Sequence, residues 1–326
     1  MSSKKNLKII ALEEHYIDKF FVDEMPIYKN SPPGIVKKLL MSNEERIIDM
    51  DAADIDMQIL SHNHPGSQVF DQKSTVELAK NINDRLSDRI NSDPKRFGGL
   101  ASLPMNFPDE AAKELERSVL QNGFYGAMIH GTQNGEFFDL DKYWSVFQTA
   151  SELNKPIYIH PGNPHPNVRD AYYKDYMHDF PIINTAGWGF GVETSTAAVR
   201  LILSGIFLKF PKLKIILGHM GEGIPFLLER THAGFSGRRV EGKPYIDFRA
   251  TFCENFYITT SGNFSDSALL CSLMELGSDK ILFAVDWPYN DSMQGTTWIK
   301  NTTLAPHDKS KITHQNAIDL FGIKQQ

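Results

Sequence analysis

Ile281-Leu282-Phe283-Ala284-Val285-Asp286 is the stretch that decides the fold: five apolar residues in succession, ending on a carboxylate. A strand apolar at every position, not at every second one, suits a parallel sheet whose two faces are both covered by helices. Ile215-Ile216-Leu217 is of the same kind and stops just short of His219. Outward from these two, similar short runs recur at Leu7–Leu12, Met57–Ser61, Phe97–Leu103, Gly126–His130, Ile157–His160, Lys214–His219, Phe256–Ser261 and Ile281–Asp286, eight in all. Segments of helical period lie between them, near Thr75–Asn91, Asp109–Gln121, Asp141–Leu153, Thr194–Phe210, Glu222–Ala233, Ser265–Leu276 and Ser310–Phe321. A short one at Asn43–Asp51 precedes the second run. Asp109 follows Pro108, and Ser265 and Ser310 suit N-caps. This rhythm predicts an α/β fold, a (β/α)8 TIM barrel, with residues 1–326 forming one domain. A doubly wound open sheet is the rival, but no GxGxxG or P-loop motif supports its usual ligands.

Two connections are unusually long, Tyr16 to about Met41 after the first strand and Pro161 to about Thr194 after the fifth. Both leave strand C-terminal ends, where substrate lids are commonly found. The chain carries 34 basic and 40 acidic side chains, a net charge of -6. That balance argues against a nucleic-acid partner, which calls for a basic face. Cys253 and Cys271 are too few for a disulfide framework and lack metal-binding spacing, which predicts a reducing, cytoplasmic setting. Met1-Ser2-Ser3-Lys4-Lys5-Asn6 has no signal-like apolar stretch, Lys324-Gln325-Gln326 has no lipidation box, and no run reaches membrane-spanning length. A soluble protein without a membrane partner is expected.

Active sites of such barrels form at the C-terminal strand ends. Those ends present a selective set: Glu13-Glu14-His15 on the first strand, His160 on the fifth, His219 on the sixth and Asp286 on the eighth. Strand alternation predicts that Glu13 and His15 share one side while Glu14 faces away. Converging imidazole and carboxylate groups make a divalent-metal site, and His160 from across the barrel completes a facial set.

Glu13-x-His15, His160, Gly218-His219-Met220-Gly221-Glu222 and Val285-Asp286-Trp287-Pro288 together resemble the amidohydrolase superfamily. The likeness is greatest to its decarboxylase branch, which includes γ-resorcylate, 2,3-dihydroxybenzoate and aminocarboxymuconate semialdehyde decarboxylases. Ile10-Ala11-Leu12-Glu13-Glu14-His15 is similar to the opening of the hydroxybenzoate decarboxylases. Gly126-Ala127-Met128-Ile129, Trp188-Gly189 and Tyr257-Ile258-Thr259-Thr260-Ser261-Gly262-Asn263-Phe264 extend the similarity over nearly the whole chain. The resemblance implies that Glu13, His15, His160 and Asp286 bind one divalent cation, and that His219 and Glu222 form a catalytic pair. Arg230 lies eight residues beyond Glu222, about two turns, which predicts that they share a helix face; the resemblance implies that it orients Glu222 or meets substrate, and that the protein is a dimer or tetramer. Zn and Mn both suit the donors, the two carboxylates tilting the choice toward Mn. No further cofactor is implied. The fourth strand ends Met128-Ile129-His130-Gly131 without the lysine of binuclear relatives, so one metal is expected. His62, His64, His130 and His165 are candidates for the pocket lining, whereas His178, His232, His307 and His314 read as structural or surface residues.

The reaction implied is non-oxidative decarboxylation of a small hydroxylated aromatic acid by a metal-dependent carboxy-lyase. In that picture Asp286 is both a metal neighbour and the proton carrier, with His219 and Glu222 assisting. Carrying a proton requires surroundings that raise its pKa, and aromatic residues near Tyr172, Tyr173, Trp188 and Phe190 either supply such dry walls or are ordinary core. The same donors also suit water activation by a hydrolase of lactones, esters or amides. Glu13 in place of a first-strand histidine favours decarboxylation, because it matches the hydroxybenzoate branch. A barrel that only binds a ligand is a third reading, which loss of a site residue would favour, and none is missing.

Overall fold

A computed structural model describes residues 7–22, 28, 31–69, 74–236, 241–242 and 244–324; Met1–Asn6 and Gln325-Gln326, on which the expectations about the termini rest, lie outside the described residues. The strands are β1 (Ile10–Tyr16), β2 (Met57–His62), β3 (Phe97–Gly99), β4 (Ala101–Ser102), β5 (Ala127–His130), β6 (Ile157–His160), β7 (Ile215–Leu217), β8 (Phe256–Thr259) and β9 (Ile281–Leu282). Only Leu100 separates β3 from β4, and its N–H donates to the Leu60 carbonyl at 2.9 Å, so the two act as one barrel strand. Every neighbour pairs in parallel, in the orders β1-β2-β3 and β4-β5-β6-β7-β8-β9. The ring closes where Leu12 bridges Ala284 in parallel and donates to the Phe283 carbonyl at 3.1 Å. The result is the (β/α)8 barrel, with helices outside.

Most helices fall where the apolar period places them. Ser42 and Glu45 form a capping box at the start of helix Asn43–Ala52, and Ser265 caps Asp266–Leu276. Ser310 does not begin the last helix. That helix enters at Pro306, whose missing N–H costs nothing in a first turn, and continues through a π turn at Lys311–Gln315 to Phe321. Helices Pro33–Leu39, Phe248–Asn255 and Ser292–Asn301 were not foreseen; the second, for example, buries only Phe248, Phe252 and Asn255, too brief a stripe to read as a period. No helix among the described residues is long and apolar enough to cross a membrane.

The barrel interior is filled by Ile10, Leu12, Met57, Ile59, Leu100, Met128, Tyr158, Ile216, Leu282 and Ala284, with Ala317, Ile318 and Phe321 of the last helix packed against them. Side chains of intermediate parity point outward into the larger core beneath the helices. At the mouth, Gly131 and Gly162 meet backbone to backbone just beyond His130 and His160. A Cβ on Gly131 (φ +51°) would lie 2.6 Å from the Gly162 Cα. Gly131→Ala is therefore expected to cost roughly 1–3 kcal/mol, from overpacking and a left-handed backbone together. Thermal unfolding measures it, and an unchanged midpoint would mean the two strand tips part freely.

Candidate active site

The interior parity continues upward into a polar layer. Two residues beyond Ile59, Met128, Tyr158 and Ala284 stand Ser61, His130, His160 and Asp286. β1 breaks this parity. Ile10 and Leu12 face inward, so unbroken alternation would send Glu14 to the mouth. A register shift between Ala11 and Glu14, with Glu13 at φ +57°, moves the phase by one. Glu13 and His15 thus enter the site, while Glu14 turns away to accept from Gln58 Nε2 at 3.1 Å and the Val285 N–H at 3.0 Å.

Glu13, His15, His160 and Asp286 offer donor atoms that all lie within 4.8 Å of one another. Each has an outer atom tied to the protein. Tyr158 donates to Glu13 Oε2. Ser61 Oγ is 3.1 Å from His15 Nδ1, and Asn290 Nδ2 donates to Asp286 Oδ2 at 2.9 Å. His160 Nδ1 faces the Pro161 carbonyl at 2.8 Å. A carbonyl only accepts, so this nitrogen carries the proton and Nε2 the lone pair. The inner atoms are unspent: Glu13 Oε1 and His15 Nε2 are buried without a hydrogen-bond partner. His160 Nε2–Glu13 Oε1 and His15 Nε2–Asp286 Oδ1 are both 3.4 Å, the edge expected around a cation with donors roughly 2.1 Å away. Two unpartnered buried donors, outer hydrogen bonds that fix each ligand, and two carboxylate oxygens fit a divalent metal.

His219 and Glu222 stand beside this cluster in a run of left-handed residues before helix Ile224–Ser236, with φ of +50° and +54°. His219 Nδ1 meets Glu222 Oε1 at 2.8 Å, and Nε2 lies 3.9 Å from Asp286 Oδ2. Glu13, His219, Glu222 and Asp286 (φ +70°) all hold positive φ without being glycine. Such strain, costing on the order of 1–3 kcal/mol each, gathers at functional sites. Burial raises the Glu13 carboxyl above the usual range, against the pull of His219. Burial also opposes charge on His219, but Glu222 and Glu13 outweigh it and push the imidazole well above its usual range. Asp286 departs from the expectation. Burial favours its neutral form, yet His15 and His219 overcome that and hold it below the usual carboxylate range.

The remaining expectations divide. His64 and His130 join His160, with donor atoms within 4.8 Å of each other. His62 instead turns into the core, where its Nδ1 donates to the Asn63 carbonyl and its Nε2 accepts from the Asp18 N–H at 3.2 Å. His165 caps the short turn Pro166–Val168. Tyr172 and Trp188 are exposed and wall nothing, whereas Tyr173 is buried and Phe190 packs against His64 at 6.0 Å. Arg230 is exposed, and no hydrogen bond or ion pair ties it to Glu222. Glu222 precedes the helix in a left-handed turn, so the two-turn spacing that predicted a shared face does not apply. Tyr289, which sequence reasoning missed, lies edge-on to His15 at 6.1 Å and donates to Asn63 Oδ1 at 3.0 Å.

Tyr158 supports the cluster through Glu13 Oε2. Tyr158→Phe should weaken metal binding by about 10- to 100-fold, the usual scale for losing such a partner. Metal titration of the demetallated variant checks this, and unaltered affinity would show that Glu13 needs no orienting bond.

A family profile described as Amidohydrolase matches residues 42–323. The γ-resorcylate decarboxylase of Polaromonas sp. JS666 is 37% identical, over 97% of this chain and 99% of that protein. A crystal structure of a dihydroxybenzoic acid decarboxylase from Polaromonas sp. JS666, with manganese and the inhibitor 2-nitroresorcinol, superposes with a TM-score of 0.90 at 36% identity, covering 98% of both chains. The 5-carboxyvanillate decarboxylase of Novosphingobium aromaticivorans, complexed with manganese and 4-hydroxy-3-methoxy-5-nitrobenzoic acid, gives a TM-score of 0.89 at 30% identity, covering 98% of this chain and 97% of that one.

Proposed function

Since the chain belongs to the amidohydrolase family, we propose that Glu13, His15, His160 and Asp286 hold one divalent cation and that Asp286, His219 and Glu222 move the proton of a decarboxylation. The enzyme is a metal-dependent carboxy-lyase that removes carbon dioxide from a small hydroxylated aromatic acid without oxidation. The observation that carries the assignment of ligands is the pair of buried, unpartnered atoms, Glu13 Oε1 and His15 Nε2, aimed at the other two donors.

The chemistry asks for a proton on the ring carbon that bears the carboxylate. That carbon becomes tetrahedral, the C–C bond opens, its electron pair restores the aromatic ring, and carbon dioxide leaves. A bound divalent cation supplies positive charge to fix the carboxylate and an ortho phenolic oxygen. His219 holds the proton at Nε2, because Glu222 on Nδ1 stabilises the imidazolium. Asp286 Oδ2 lies 3.9 Å from His219 Nε2, accepts from Asn290, and passes the proton on to carbon. An anionic resting Asp286 suits this relay, since the proton is stored on the histidine and crosses the carboxylate only in the reaction.

We place residues 1–326 in a single barrel domain, working in the cytoplasm with Cys253 and Cys271 unpaired. The exposed apolar residues Phe180, Ile182, Trp188, Phe226 and Leu227 support a homo-oligomer, a dimer or tetramer. Incubation of the Mn-loaded protein with 2,6- and 2,3-dihydroxybenzoate and salicylate tests the reaction. Loss of acid with equimolar resorcinol, catechol or phenol respectively, without oxygen, is the expected result, and chelation should abolish it. Survival of all three acids alongside cleavage of an aryl ester would favour the hydrolase reading instead.

A further inference from the structure

Two side chains at the mouth, His64 and His130, are not used by this chemistry. His64, on the loop after β2, and His130, at the end of β5, close around His160 with ring centroids 5.4 Å apart for His64–His130 and 5.0 Å for His130–His160. His64 and His160 are stacked at 6.3 Å. Nδ1 of His64 and Nδ1 of His130 are buried without a hydrogen-bond partner, so both rings keep unspent nitrogen capacity. The loop is brought close by Gly66 (φ +60°), where a Cβ would lie 3.3 Å from His130 Nε2. His64 is only partly buried, leaving the group reachable from the mouth.

The donor chemistry here differs from that of the four-residue cluster. Three imidazoles without a carboxylate favour Zn2+, Cu2+ or Ni2+, whereas Glu13 and Asp286 make the neighbouring set more hospitable to Mn2+. Both sets need the same atom. His160 Nδ1 is committed to the Pro161 carbonyl, so Nε2 has the ring's single available lone pair and serves one cation at a time.

We propose that His64, His130 and His160 form a second, nitrogen-only cation site, taken by Zn2+, whose occupation withdraws His160 from the catalytic cation and so inhibits the enzyme. The inhibitory half rests on the assignment of His160 to the catalytic cation made above; the existence of the site does not.

The experiment adds Zn2+ to the Mn-loaded protein and follows two signals. Electron paramagnetic resonance reports released Mn2+, and zinc K-edge absorption counts the imidazoles around zinc. The expected result is Mn2+ release together with zinc bearing three imidazoles and no carboxylate. His64→Asn and His130→Asn should each raise the zinc concentration needed for half-release by at least about tenfold, the scale on which even an indirect ligand partner matters. Zinc carrying two imidazoles and carboxylate oxygen would mean plain exchange at the four-donor site and overturns the proposal, whatever the variants do. Retention of Mn2+ beside three-imidazole zinc would overturn the competition. Protein that never binds Mn2+ would fault the four-donor assignment instead, and the zinc spectrum would still decide whether the three-histidine site exists.

Discussion

Asn in place of Asp286 is expected to lower kcat by about 1000-fold or more while leaving a measurable fraction of the metal bound. The two halves of that result come from different oxygens. Oδ1 faces His15 Nε2 at 3.4 Å, within the proposed ligand cluster, and Oδ2 faces His219 Nε2 at 3.9 Å, on the proposed path of the proton. An amide oxygen can still accept from Asn290 and still face a cation weakly, so the site keeps its shape with three strong donors of four. What the amide cannot do is take a proton from an imidazolium and give it to carbon. Turnover and metal content are measured on one sample. Metal retained with turnover lost supports the relay, and a near-normal rate removes Asp286 from it. Activity falling only in proportion to metal content would make Asp286 a ligand and nothing more.

How far the site could be read in advance depended on which physical rule placed each residue. His160 and Asp286 were legible because β6 and the last strand obey simple parity: Tyr158 and Ala284 fill the interior, and two residues further on a side chain reaches the mouth. Glu13 and His15 were paired correctly by a rule that does not operate there. Counting from Ile10 and Leu12 would have chosen Glu14, and only the bulge at Glu13, invisible in residue types, rescues the pairing. Arg230 shows the opposite failure, since helical spacing was counted through Glu222, which sits in a left-handed turn outside the helix. Proton affinities were the least legible. Aromatic residues suggested dry walls around Asp286, but two of them point to solvent, and His15 and His219 set its charge. Such balances depend on distances of a few ångströms between segments remote in sequence.

The largest stability effect is expected at Arg46, which the sequence offers no reason to notice. It lies on helix Asn43–Ala52, is wholly buried, and donates through Nη2 to the His15 carbonyl at 2.6 Å. Its guanidinium stacks 3.9 Å over the Trp287 ring, and Trp287 in turn donates to Asp49 on the same helix at 2.7 Å. The His15 N–H meanwhile donates to the Trp287 carbonyl at 2.8 Å. One helix therefore clamps the first-strand tip and the last-strand tip together, and those tips bear three of the four donors in the proposed cation site. Arg46→Met keeps much of the volume but strands the His15 carbonyl and removes the cation nearest buried Glu14, whose carboxyl burial already raises to about 8. Losing a charged hydrogen bond and stranding a buried carbonyl together cost about 3 kcal/mol, read as a lower denaturant midpoint. Metal affinity should fall with it, because the tips lose their common anchor. Arg46→Lys should rescue little of either, since an ammonium cannot both stack flat on the indole and reach the carbonyl. If Arg46→Met unfolds at the wild-type midpoint and binds metal as before, the strand tips are held by the barrel alone and the clamp has no role.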